Sequence, residues 1–332
     1  MSPPLVEQPS ESSHTARRPS IDLWYGPKQL FGHLGNPQWF VNVLGRVSPP
    51  EKVASLSYSL NAGPARRLTI GPDGKRLQAP GDFNIELDTG ELIAGPNRLL
   101  IAATDANGRT ATRSVTVRYT SGRTWPIPYR ISWRSLTSIQ QAAQVVDGRW
   151  AIQDGGLHCV EPGYDRLVAL GDLTWTDYLV EVRFAINAFS AIGEYAPGIG
   201  LLLRWRGHYD WEGARPRSGW WPIGAIGWYL HLGQWGQHRL NLMGNRGRVL
   251  AEEGRRRVLK PGLAYVITLA AETGPKGRSL FRMKVWSDEE PEPNQWQLTA
   301  NGPEDALPSG SCLLLAHYTD ATFGDVTVMP LP

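Results

Sequence analysis

The chain has 332 residues, 41% of them hydrophobic and 20% charged, with a formal net charge of +3. That length suits two domains, each with its own core, and the composition excludes both a disordered acidic tail and a small disulfide-stapled module. A charge this small, without a concentrated basic stripe, argues against a nucleic-acid partner.

Residues 1–22 are rich in Pro, Ser and Glu, show no periodicity and read as a disordered lead. They contain no apolar run of signal-peptide length, and no later segment has 18 apolar residues in a row, so no membrane insertion is expected. The compartment stays undefined, cytoplasmic by default and extracellular by another export route. With 36 Gly and 26 Pro, tight turns should separate many short elements, which favours an all-β fold. From Phe40 to Tyr119, β-branched and aromatic runs alternate with turn dipeptides such as Pro49-Pro50, Pro80-Gly81 and Asn107-Gly108, the spacing of a sandwich spanning residues 23–120. Its clearest hairpin runs from Asn97 through Asn107-Gly108 to Tyr119, with Val115, Val117 and Tyr119 on one face and Ser114, Thr116 and Arg118 on the other.

Residues 121–129 read as a Trp- and Pro-containing linker, and residues 130–332 as a second, longer β-sandwich. Only Ser135 to Val145 carries a helical pattern. Tyr178, Val180, Val182, Phe184 and Ile186 alternate with Leu179, Glu181, Arg183 and Ala185. Ile199, Leu201, Leu203 and Trp205 alternate with Leu202, Arg204 and Arg206. In the strand Ala225 to Leu232, Trp228, Leu230 and Leu232 face one way and Tyr229 and His231 the other. Cys159 and Cys312 lack metal-ligand spacing, and read either as a pair joined between neighbouring strands or as buried thiols.

The segment GPNRLLIAATDANGRTATRSVTVRY resembles the closing strand pair of bacterial immunoglobulin-like modules over residues 35–120, without the disulfide and core-Trp pattern of antibody domains. Such modules act as spacers or packing partners. The series VVDGRWAIQDGGLHCV, LVALGDLTWTDYLVEVRFAI, GIGLLLRW, FRMKVW and HYTDATFGDVTVMPL resembles the concanavalin A-like lectin/glucanase superfamily in its laminin-G-like branch. The resemblance implies an immunoglobulin-like sandwich followed by a concanavalin A-like jelly roll. It also implies a module that binds glycans or proteins, or an enzyme acting on glycosidic bonds. Laminin-G-like domains often carry Ca2+ on a rim, and here Asp288-Glu289-Glu290-Pro291-Glu292, Asp320 and Asp325 offer oxygen ligands.

Arg204 to His231, RWRGHYDWEGARPRSGWWPIGAIGWYLH, is the most informative stretch, with five Trp, two Tyr, two His and several Arg among glycines and prolines. Aromatic faces stack on sugar C–H surfaces and Arg forks bind hydroxyls or carboxylates, so a glycan partner is expected through Arg204, Trp205, Tyr209, Trp211, Trp220, Trp221, Tyr229, His231 and Trp286. If Tyr229 and His231 share an open face with Arg204, Arg206, Glu181, Arg183, Lys284 and Trp286, that face is a cationic floor suited to an acidic saccharide. A carbohydrate-active enzyme is the alternative, with His231, His208, Tyr209, Asp210 or Glu212 in acid–base roles. The Glu-x-Asp-x-x-Glu pattern of many glucanases of this fold does not occur within residues 130–332, and a solvated loop pair is the plainer reading of Asp210 and Glu212. A protein-interaction module is the third reading. The stretch 240–260 carries a net +4 and reads as a solvated hairpin or an anion-facing one.

Overall fold

The computed structural model describes residues 18–190, 196–231, 238–253 and 258–331. It is all-β, as expected. Before residue 120 the strands are β1 (Ser20–Leu23), β2 (Lys28–Phe31), β3 (Phe40–Ser48), β4 (Val53–Leu60), β5 (Arg66–Arg67), β6 (Asp82–Asp88), β7 (Gly95–Asp105) and β8 (Thr110–Tyr119). They make two facing sheets, β1-β3-β6 and β2-β8-β7-β4-β5, with β2 parallel to β8 and the other pairs antiparallel. Inward-pointing Val43, Val47, Leu56, Phe83, Ile85, Leu99, Ile101, Val115 and Val117 fill the gap between them. The hairpin forms where its sequence places it: Asp105 Oδ1 accepts from the Asn107 and Arg109 N–H groups, both at 2.9 Å, and Gly108 takes the positive φ of 77° that the turn needs. The lead is shorter than expected, since Ser20 to Leu23 pair with β3 from Ser48 to Gly45. Residues 1–17 lie outside the described residues.

The second sandwich follows. Its strands are β9 (Tyr129–Ile131), β10 (Gln144–Asp147), β11 (Trp150–Gln153), β12 (Gly156–Cys159), β13 (Arg166–Leu170), β14 (Tyr178–Phe189), β15 (Gly198–Trp205), β16 (Ala225–Leu230), β17 (Arg239–Met243), β18 (Val249–Glu252), β19 (Ala264–Thr273), β20 (Ser279–Ser287), β21 (Leu298–Asn301), β22 (Ser311–His317) and β23 (Thr319–Pro330). A seven-stranded sheet, β10-β13-β22-β15-β16-β17-β18, faces an eight-stranded one, β11-β12-β23-β14-β19-β20-β21 with β9 added on β23. The alternation read in β14 holds: Tyr178, Val180, Val182, Phe184 and Ile186 enter the core against Ile199, Leu201, Leu203, Leu240, Leu242, Ile267, Leu269 and Phe281. At about 1.5–3 kcal/mol for each fully buried aliphatic side chain, this inter-sheet core is the main source of stability. Cys159 and Cys312 are buried free thiols, which settles the alternatives for them, and burial raises the pKa of both.

Two local expectations are corrected. Residues 135–145 form no helix. Separate 3-10 turns occur at Trp133–Ser135 and Ile139–Gln141, the second closed by a Ser138/Gln141 capping box, and the chain then enters β10. The alternation in β15 breaks at its end. Its pairing with β22 shifts register between Leu203 and Trp205, and Arg204 adopts φ 52°. This bulge turns Arg204 inward with the Leu203 side of the sheet and sends Trp205 to the outer face beside Leu202.

The N-terminal sandwich is docked along β10. Gln144 Nε2 donates to the Phe40 carbonyl at 2.8 Å, and Asn84 Nδ2 to the Val146 carbonyl at 2.9 Å. Buried Arg76 bonds Asp147 at 2.7 Å and Glu86 at 2.5 Å. The linker is packed as well: Trp125 is 4% exposed and lies in the second core.

Candidate functional site

The outer face of the seven-stranded sheet is unusually apolar. Ile226 and Trp228 from β16, Met243 from β17, Leu202 and Trp205 from β15 and Leu313 and Leu315 from β22 all point to it. Without a cover it would be a large exposed hydrophobic patch. The loop between β15 and β16 folds back over part of it, and the uncovered remainder is a cavity of about 290 Å3 lined by Tyr164, Asp165, Trp220, Trp221, Ile226, Trp228, Leu230, Met243, Leu315 and His317. Its floor is shaped by glycine. A Cβ on Gly200 would come within 2.5 Å of Trp228 Cβ and one on Gly198 within 3.2 Å of its ring, so the bare backbone of β15 makes room for Trp228 against the strand. The indole Nε1 of Trp228 is buried without a hydrogen-bond partner.

The polar end of the slot is one tight pair. Asp165, just before β13, accepts from His317 Nδ1 at 2.6 Å through one carboxylate oxygen and from Trp220 Nε1 at 2.9 Å through the other. Both Asp165 and His317 are 5% exposed. The carboxylate therefore fixes at once the imidazole ring and the indole that forms a wall. Tyr164 stands edge-on to His317, with ring centroids 5.1 Å apart.

The wall is positioned from beneath and from the other sandwich. Trp220 stands edge-on to His208, which stands edge-on to Trp205, at 5.6 and 5.4 Å. Burial, reinforced by the Arg76 charge, pushes the His208 pKa well down and keeps that ring neutral. Further along the loop, the Arg217 N–H donates to Glu86 Oε2 at 2.8 Å, its guanidinium lies 3.9 Å above the Phe40 ring, and its carbonyl accepts from Arg76. The Trp39 N–H donates to the Arg206 carbonyl at 3.1 Å. Glu86, Phe40, Trp39 and Arg76 all belong to the N-terminal sandwich.

Trp221 also borders a larger cavity of about 700 Å3, lined by Tyr209, Trp211, Trp221, Pro222, Asn245, Arg246, Gly247 and Asp305. Tyr209 pairs with Gly219 backbone to backbone and Trp211 is 47% exposed. Asn245 holds this cavity together by accepting from the Ile223 N–H at 2.8 Å and donating to the Asp305 carbonyl at 2.7 Å.

The expected site residues scatter. Trp220, Trp221, Trp211 and Tyr209 do line these two cavities. Arg204 and Trp205 are fully buried and cannot meet a sugar. Arg204 is spent on the Thr176 carbonyl, Ser279 Oγ and Thr273 Oγ1, and burial lowers its pKa. Tyr229 points into the inter-sheet core, where burial raises its pKa to about 12. The faces of β16 are thus divided as expected, but the open side is that of Trp228. His231 stacks on Phe189 at 3.8 Å, with its pKa lowered by burial and by nearby His238. Leu232 lies outside the described residues. Glu181, Arg183, Lys284 and Trp286 belong to the other sheet and do not share a floor with Arg204, Tyr229 or His231.

The five acid–base candidates do not converge. His208 is buried at the seam, His231 sits at the end of β16, and Asp210 is engaged by Arg215 at 2.9 Å, which lowers its pKa. Glu212 is exposed at φ 51°, and Tyr209 alone of the five lines either cavity. Of the acidic residues offered for Ca2+, Asp288 pairs with Arg183 at 2.6 Å, Glu292 with Lys284, and Asp320 with His158 at 2.9 Å. Among the described residues no three His, Cys, Asp or Glu side chains are grouped to hold a metal ion. The Asp165–His317 pair carries no local sequence signal, because 152 residues separate its members.

No protein-family model and no curated protein matches the chain. Solved structures do. The carbohydrate recognition domain of Emp47p is 11% identical with a TM-score of 0.42, over 62% of this chain and 97% of that one. The exoplasmic/lumenal domain of VIP36, solved in a Ca2+/Man3GlcNAc-bound form, is 10% identical with a TM-score of 0.40, over 59% and 86%. A bifunctional GH43-CE protein from Bacteroides eggerthii is 10% identical with a TM-score of 0.41, over 88% of this chain and 39% of that one. All three scores fall below 0.5, so the sandwich is defined here by its own strand order.

Proposed function

We propose that the chain is a lectin-like protein that binds a glycan on the outer face of its seven-stranded sheet. The observation that carries this reading is the slot itself: four aromatic side chains, Tyr164, Trp220, Trp221 and Trp228, around an opening whose polar groups are gathered at the Asp165–His317 end. Flat aromatic walls suit the C–H faces of a pyranose, and a few fixed polar groups set its orientation. The N-terminal sandwich, which we take as immunoglobulin-like on the strength of its hairpin and its parallel β2–β8 pairing, holds one wall in place.

A glycan array followed by calorimetric titration tests the proposal. Binding that is lost in Trp228→Ala and Trp221→Ala but kept in Trp286→Ala is the expected result. Binding unaffected by both slot substitutions would overturn it, and silence on every glycan would favour a protein-interaction module.

A second reading, a carbohydrate-active enzyme, is favoured by one feature: Asp165 orients His317 as a carboxylate orients a catalytic imidazole. Product formation abolished by His317→Ala would establish it, whereas binding without turnover would retire it.

A further inference from the structure

The slot is the first of three depressions that share lining residues in turn. Trp221 lines both the slot and the larger cavity, and Asp305, from that larger cavity, also lines a third depression of about 760 Å3 bounded by Arg248, Lys276, Arg278 and Glu304. Charge changes sign along this series. Asp165, already paired with His317, is the carboxylate of the slot. Beyond Trp221 come four cations, Arg246, Arg248, Lys276 and Arg278, against two carboxylates, Asp305 and Glu304. No side-chain hydrogen bond or ion pair engages any of the four cations among the described residues. Among the described residues Arg46, Arg66, Arg76, Arg109, Arg183 and Arg217 meet carboxylates within 3.3 Å, whereas Arg67, Arg98, Arg113, Arg118, Arg130 and Arg134 share the unpaired state of these four cations.

Local backbone geometry presents them. Arg246 and Lys276 sit at φ 57° and 60° in the tight turns Asn245–Gly247 and Pro275–Gly277, which end the β17–β18 and β19–β20 hairpins on the same side of the sandwich. Side chains on such turns project beyond the sheet edge. Arg255, Arg256 and Arg257, which complete the basic stretch of the sequence, lie outside the described residues.

We propose that the ligand is an acidic oligosaccharide of at least three residues: its terminal sugar occupies the slot, the chain crosses Trp221, and carboxylates on the following residues rest on Arg246 and then on Arg248 and Arg278. This rests on the glycan reading of the slot. Guanidinium forks match carboxylates bidentately, which makes a uronic acid the fitting anion. Asp305 and Glu304 repel a uniformly dense anion and accept sugar hydroxyls, so intermittent carboxylates suit the path better than continuous sulfation.

The test is titration of the full chain with tetragalacturonate, with a neutral tetrasaccharide of equal length and with a sulfated tetrasaccharide. Tetragalacturonate should bind roughly tenfold or more tighter than the neutral chain at low salt, the advantage shrinking as salt screens exposed charges. The double variant Arg246→Gln/Arg278→Gln should remove about tenfold of the affinity for tetragalacturonate and weaken neutral binding by a clearly smaller factor. Trp221→Ala should weaken both ligands. Equal affinity for the acidic and neutral chains overturns this inference and leaves the glycan reading standing. Tighter binding of the sulfated chain, or acidic binding indifferent to Trp221→Ala, also overturns it, by reducing the effect to charge adsorption. Absence of binding to all three probes and to the array sinks the glycan reading itself.

Discussion

The two outer faces of the second sandwich are built on the same alternation and have opposite characters. β14 and β20 send Arg183, Arg282 and Lys284 outward, where Asp288, Glu272 and Glu292 pair with them. β15, β16 and β22 send out Leu202, Trp205, Ile226, Trp228 and Leu315, and these are covered by a loop and, at one end, by a second domain. Charge on a sheet face serves mainly to keep that face wet, and exposed ion pairs contribute little. Apolar surface demands a cover, and wherever the cover is incomplete a slot with dry walls remains. The candidate site therefore lies on the face that looks, in sequence, like core.

The strongest way to break this comparison is to remove the cover's anchor. Arg76→Met leaves Asp147 and Glu86 buried without their guanidinium, and should cost about 3–5 kcal/mol in urea unfolding. Equal stability of the variant would show that the seam is incidental. The same cluster has a pH signature. Burial raises the Asp147 pKa from 3.8 to about 7 against the pull of Arg76. The folded state then holds a proton there that the unfolded state releases, so this group's contribution to stability falls as pH rises from about 4 through 7. Melting curves across that window should show the decline, and Asp147→Asn should flatten it.

Binding comes next in size. Trp221→Ala should cost about 2 kcal/mol in glycan affinity, roughly 30-fold in Kd, while Trp286→Ala on the charged face should leave Kd unchanged. Reversed sensitivities would move the site to the other sheet. The smallest effect belongs to the charged face: a double-mutant cycle on Arg282 and Glu272, paired at 2.9 Å, should return less than about 1 kcal/mol. A larger coupling would mean that this face too is held in a specific geometry.

Most of the strands could be read from the chain, because β14 from Tyr178 to Ile186 and β8 from Val115 to Tyr119 each bury one alternating set and their flanking turns carry Gly, Asn or Pro. Which side of a strand is open could not be read in β16, because Trp228 and Tyr229 are both large aromatics and only the tertiary cover decides between them. The face reversal at Trp205 was hidden for another reason: one residue in a left-handed conformation at Arg204 resets the alternation, and Arg carries no local mark of doing so. The aromatic loop between β15 and β16 was visible through composition alone, and it supplies Tyr209, Trp211, Trp220 and Trp221 to the two cavities. The Asp165–His317 pair needed the β13–β22 pairing, a contact between distant parts of the chain.

The bond between the Arg217 backbone and Glu86 has a consequence for equilibrium as well as for geometry. One wall of the slot is held both by Asp165 and, through Arg217, by Glu86 of the other sandwich, so for a ligand bound as proposed, occupancy of the slot and docking of the two halves are linked equilibria. A ligand that fills the slot must tighten the seam by the same factor by which a loosened seam would release the ligand. The first sandwich is then a partner in affinity, and a force or a binding event that pulls it away from β10 becomes a means of letting go.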